Sequence, residues 1–143
     1  MKSYRFVLTA ILFALFFANV AAARAQDVCN KLSEDEVAAA VGSPLQRSPT
    51  NPCRFGRAMK SFSIIMHYGD GPGFSGYAAQ SRKEFKDTQN VSGIGSDAIF
   101  FGGGNLAVKA KNDVIFIQML MGKTPAEKLA LSKAVAQKII AHM

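Results

Sequence analysis

The chain has 143 residues, a net charge of +7 and two cysteines. That length suits one domain, and a cysteine pair with no C-x-x-C and no neighbouring His excludes a cysteine-based metal site or redox motif. Part of the charge belongs to the N-terminal segment, and what remains is too small for a nucleic-acid footprint.

Lys2 and Arg5 precede an apolar run over Phe6–Val20, and Ala21-Ala22-Ala23-Arg24-Ala25 follows with Ala23 and Ala25 at the −3 and −1 positions. This is the pattern of a secretory signal peptide over residues 1–25, cut after Ala25. The apolar run is short for a membrane span. Gln26-Asp27-Val28, ahead of Cys29, lacks the small and aliphatic residues of a lipidation site. The expected product is therefore residues 26–143, one exported domain that is periplasmic or secreted and has no stable membrane anchor after cleavage. Loss of Lys2, Arg5 and Arg24 lowers the net charge to +4, an ordinary solubilising value. No nucleic-acid partner is expected.

Both cysteines, Cys29 and Cys53, lie in the exported part, and an even pair in an oxidising compartment predicts a disulfide. Leu32-Ser33-Glu34-Asp35-Glu36-Val37 is a helix start. Ser33 caps, Glu36 closes a capping box, and Leu32 with Val37 forms a hydrophobic staple. Gly42 and Pro44 stop this short helix. Pro44–Pro52 reads as a loop leading to a return strand at Cys53-Arg54-Phe55. Ser61–Tyr68 alternates as a strand, with Phe62, Ile64, Met66 and Tyr68 on one side and Ser61, Ser63, Ile65 and His67 on the other. After a glycine-rich break, Ser75–Lys86 predicts a second helix with Phe74, Tyr77, Ala78, Ser81 and Phe85 near one face.

Ala98–Met121 reads as an antiparallel meander of three strands, Ala98–Phe101, Leu106–Ala110 and Val114–Met121, separated by GGGN and KND. The middle strand sets Leu106, Val108 and Ala110 against Ala107, Lys109 and Lys111, which predicts a polar outer face. The last helix starts at Thr124-Pro125 with Glu127 in the capping box, and presents Leu131, Val135 and Ile139, widened by Leu129 and Ile140. The expected fold is α+β: an antiparallel sheet of about four to five strands, two to three helices packed on one face, and one disulfide.

Chemistry is sparse. Gly93-Ile94-Gly95-Ser96-Asp97-Ala98 matches G-x-G-x-x-A, yet no strand precedes it and no helix follows, so the glycines are read as permitting a tight approach into the meander. The carboxylates Glu34, Asp35 and Glu36 are explained by capping. No G-x-S-x-G is present, neither cysteine is expected to be free, and the chain is not read as an enzyme. No cofactor is expected. Met66, His67, Met119 and Met121 form the one set of soft donors that copper would favour, although methionines also fill core gaps. His142 is expected in a frayed C-terminus.

Cys29-x-x-Leu32, Glu36-Val37 and Gly42, the return Cys53, Ile94-Gly95-x-x-Ala98 and a terminal strand–helix together resemble small cysteine-paired envelope domains of unknown function found in actinobacterial lipoproteins. In outline the chain is also similar to extracytoplasmic sensor domains of bacterial kinases. The resemblance implies an α+β fold, a disulfide, and binding or sensing rather than catalysis. It departs from that pattern in having no lipid-modified Cys and in carrying Arg54-Phe55 after the second Cys, where an aromatic residue often follows. The expectation is an exported, non-catalytic binding or sensing module of the bacterial cell envelope, its partner an envelope protein, peptide or polymer, with the polar sheet face bearing Lys109 and Lys111 as its surface. The alternative is a periplasmic carrier of copper or a small ligand using the Met/His set.

Overall fold

The sheet is built outward from the three meander strands. The computed structural model describes residues 27–57, 60–68 and 73–143, with the backbone alone at 57 and 65–68. The expected signal peptide and its cleavage site lie outside the described residues. A helical segment at residues 27–31 comes first. Then follow α1 (Glu34–Val41), β1 (Gln46–Arg47), β2 (Arg54–Arg57), β3 (Lys60–Tyr68), α2 (Gly73–Glu84), β4 (Gln89–Asn90), β5 (Asp97–Phe101), β6 (Asn105–Ala110), β7 (Asp113–Met119) and α3 (Pro125–Ala141).

All strands join one seven-stranded antiparallel sheet in the order β1-β2-β3-β7-β6-β5-β4. The expected strands are present. The count exceeds four to five because two-residue edges, β1 and β4, were added inside stretches that read as loops. Such short pairs leave almost no periodic signal, and a short edge also limits unwanted pairing with other chains.

The helices do not all pack on one face, which corrects the expected arrangement. On one face Phe62, Ile64, Phe100, Leu106, Val108, Ile115, Ile117 and Met119 form the main core with Val37 and Val41 of α1 and Val135, Ala136 and Ile139 of α3. On the other face Phe74 and Ala78 of α2 pack with Ile99, Phe101, Ala107 and Val114, and Phe85 and Phe116 lie at the margin. The reason is visible in the strands. β5 buries four consecutive residues from Ala98 to Phe101, and β6 buries Ala107 between Leu106 and Val108. A strand buried on both sides needs a layer on both sides.

The termini of the helices follow the capping residues. Ser33 Oγ accepts from Glu36 N–H, Glu36 reaches back to Ser33 N–H, and Gly42 ends α1 at φ 69°. Thr124 and Glu127 form the second box. The buried stripe of α3 is Ser132, Val135, Ala136 and Ile139, with Leu129 and Leu131 only half-buried.

Cys29 and Cys53 are bonded, both buried, with their Cα atoms 5.1 Å apart. The bond joins the helical segment at 27–31 to the start of β2. Arg47 seals the same corner. Its guanidinium donates to the carbonyls of Cys29 (2.6 Å), Pro52 (2.9 Å) and Leu32, and it lies 4.8 Å from the centre of the Phe55 ring.

Candidate functional site: an open polar half of the sheet

The face carrying α2 is only partly covered. A twelve-residue helix is roughly 18 Å long, while seven strands span roughly 29 Å. α2 sits over β5, β6 and the start of β7 through Phe74 and Ala78. The β1–β2–β3 end of that face, with the ends of β7 and β6, carries no helix among the described residues.

Register defines what stands there. Arg54 is opposite Ser63, Ser63 opposite Gln118, and Gln118 opposite Asn105. Directly paired residues share a face, so these four form one row across β2, β3, β7 and β6, about 14 Å from end to end. Gln46, opposite Gly56, and Ser61 lie beside it. None of the six is buried. No hydrogen bond or ion pair with another described residue engages the side chains of Arg54, Ser61, Ser63, Asn105 or Gln118. A shallow groove of about 260 Å³ runs along Gln46, Ser48, Arg54, Gly56 and Ser61.

Gly56 shapes the groove floor. A Cβ there would stand 2.7 Å from Ser61 Cβ and 2.8 Å from the Lys60 carbonyl oxygen, so only glycine permits this close approach of β2 to β3. At the other end of the row, half-buried Phe116 belongs to the same face, its ring 5.9 Å from that of Phe101. The strands β1, β2 and β3 contain Arg47, Arg54, Arg57 and Lys60 and no Asp or Glu. With Arg47 engaged on carbonyls, Arg54 is the cation that register places on the open face among the described side chains of these strands.

The residues singled out from the sequence fall elsewhere. Cys29 and Cys53 are brought together, as a structural bridge. Lys111 leaves the sheet face altogether: it lies in the β6–β7 turn at φ 54°. Ala107, expected beside it on a polar surface, is buried beneath α2, so the Lys109 and Lys111 surface is not a continuous polar face.

Met119 and Met121 are buried in the main core. Met119 is opposite Phe62, whereas Met66 is opposite Ile115 and His67 opposite Val114. His67 thus lies five ladder positions from Met119, roughly 17 Å along the strands. The side chains of Met66 and His67 lie outside the described residues. No group of three or more His, Cys, Asp or Glu is arranged to hold a metal among the described residues.

Gly95, at φ 60°, has Lys109 O only 2.4 Å from where a Cβ would be, and it serves the close approach to β6 expected of it. His142 is not frayed. It ends α3 with its N–H on Ile139 O, and its Nε2 is 3.1 Å from Glu36 Oε1.

Sequence reasoning missed the row of polar residues as a unit. Ser61 and Ser63 were visible as the outer side of β3, and Gln118 is the single polar residue in VIFIQMLM. Their alignment with Arg54 and Asn105 is a product of register between strands distant in sequence.

Comparison with protein families, characterised proteins and solved structures finds no match to this chain. Among the described residues no helix is long and apolar enough to cross a membrane. The disulfide fits a non-reducing setting.

Proposed function

We infer that the protein is an exported, non-catalytic binding module of the bacterial cell envelope, and that the open half of the sheet is its binding surface. Export is supported by the signal-peptide pattern of residues 1–25 together with the buried disulfide. The observation that carries the binding role is the row Arg54–Ser63–Gln118–Asn105, whose side chains find no partner within the described fold although register sets them side by side on the sheet. A sheet with a disulfide at one corner and a core behind it offers a preorganised surface, which reduces the ordering cost of binding.

The test is affinity capture from an envelope fraction with the purified protein, set against Arg54→Ala/Gln118→Ala. The expected result is a component retained by the natural chain and lost from the double variant. Equal recovery on both would overturn this surface. Metal analysis of the purified protein addresses the carrier reading: stoichiometric copper lost on His67→Ala would replace the present one.

A further inference from the structure

We propose that the open half-sheet binds an acidic polysaccharide, a chain rich in hydroxyl and acetamido groups with carboxylates that pair with Arg54. The proposal rests on the binding-module reading and specifies its ligand. Three observations select this chemistry.

First, the charge. β1, β2 and β3 hold four Lys or Arg and no carboxylate, and the Arg54 guanidinium is exposed and unpaired among the described residues. An arginine fork matches a carboxylate bidentately, and with no acidic neighbour on the strand it is not neutralised in place.

Second, the polar row. Gln46, Ser61, Ser63, Asn105 and Gln118 each donate and accept, as amides and hydroxyls do. They meet a ligand that also donates and accepts along its length, which a sugar chain does at every residue. A polypeptide is a poorer match. An extended peptide bonds through a free sheet edge, whereas the backbone groups of β2, β3, β7 and β6 beneath this row are already used in the ladder.

Third, the ring. Half-buried Phe116 stands on this face next but one to Gln118, held by Phe101, and offers an apolar surface against which the C–H face of a sugar can lie.

The experiment uses the purified protein in calorimetric titration with four probes: hyaluronan, polygalacturonate, neutral dextran and polyglutamate. Hyaluronan and polygalacturonate are expected to bind and dextran is not. Arg54→Gln should weaken hyaluronan binding about tenfold or more, the loss of one charge-assisted contact. Lys138→Gln, on α3 behind the opposite face, should leave it unchanged, and unfolding of Arg54→Gln at the natural temperature confirms an intact fold.

Equal affinity for dextran, polyglutamate binding as tightly as the acidic glycans, unchanged affinity in Arg54→Gln, or no binding to any probe would each overturn the glycan assignment. The envelope capture experiment separates this failure from that of the broader reading. If capture depends on Arg54 but resists competition by hyaluronan, the surface stands and the glycan falls. If capture is also absent, both fall.

Discussion

Arg47 fell in a stretch that reads as a loop, yet its guanidinium closes the corner where the disulfide lies. It donates to three carbonyls, those of Pro52, of Cys29 within the helical segment at 27–31 and of Leu32 just past its C-terminal end, where a cation is favoured. Arg47→Met would leave these carbonyls without their donor and should cost about 2–3 kcal/mol in urea unfolding. Arg47→Lys should recover only part of this, because a single ammonium cannot span the three acceptors. Ser132 presents the opposite case. Its hydroxyl is fully buried and has no hydrogen-bond partner among the described residues. Ser132→Ala should therefore raise stability by about 1 kcal/mol, read as a higher thermal midpoint, and a fall would show that the hydroxyl is engaged.

At the scale of elements, α1 and α3 are held together at one end by Glu36 and His142. Glu36 lies below its ordinary carboxylate value of 4.5, chiefly because its carboxylate accepts from the Ser33 backbone N–H and secondly because of His142. A pKa lowered on folding means that the unfolded chain binds the proton first. The stabilisation is complete above the ordinary carboxylate value and is lost as pH falls through the lowered one. Denaturant midpoints measured from about pH 6 to about pH 3 should fall further for the natural chain than for Glu36→Gln. Parallel curves would remove Glu36 as a contributor. α2 is tied to the sheet by the smaller core and by Arg82, which donates to Asn90 of β4, and Phe74→Ala should cost about 3–4 kcal/mol there. Hydrogen exchange should quicken across α2 while β6 and β7, cored on their other face, keep their protection.

For the whole molecule, the Cys29–Cys53 bond couples the N-terminal helical segment to a sheet whose far edge is made of β4 and β5. Reduction, or Cys53→Ser, should cost up to roughly 3–4 kcal/mol by the loop-closure estimate, and less where the reduced chain keeps local structure. Thermal unfolding with and without reductant measures it, and thiol titration of the native protein should find no reactive cysteine. The rest of the corner, Arg47 over Phe55 and the stacked pair Phe55–Phe62 at 5.4 Å, remains in the reduced chain and should preserve the sheet order.

What was legible in the chain is what depends on neighbours in sequence. Ser33 with Glu36 and Thr124 with Glu127 mark two helix starts because capping is completed within four residues. The meander strands were expected to within one or two residues of their ends, because Gly and Asn-Asp punctuation brackets apolar runs, and the pairing of two cysteines followed from their number. The edges β1 and β4, the second core under α2, and the side of the sheet left bare were not legible. Each depends on which strands become neighbours, and β3 meets β7 across more than forty intervening residues. Lys109 and Ala107 alternate as an outer face should, and only the docking of α2 buries one of them. The row Arg54–Ser63–Gln118–Asn105 exists for the same reason: four ordinary polar residues on four strands become one surface when register sets them side by side.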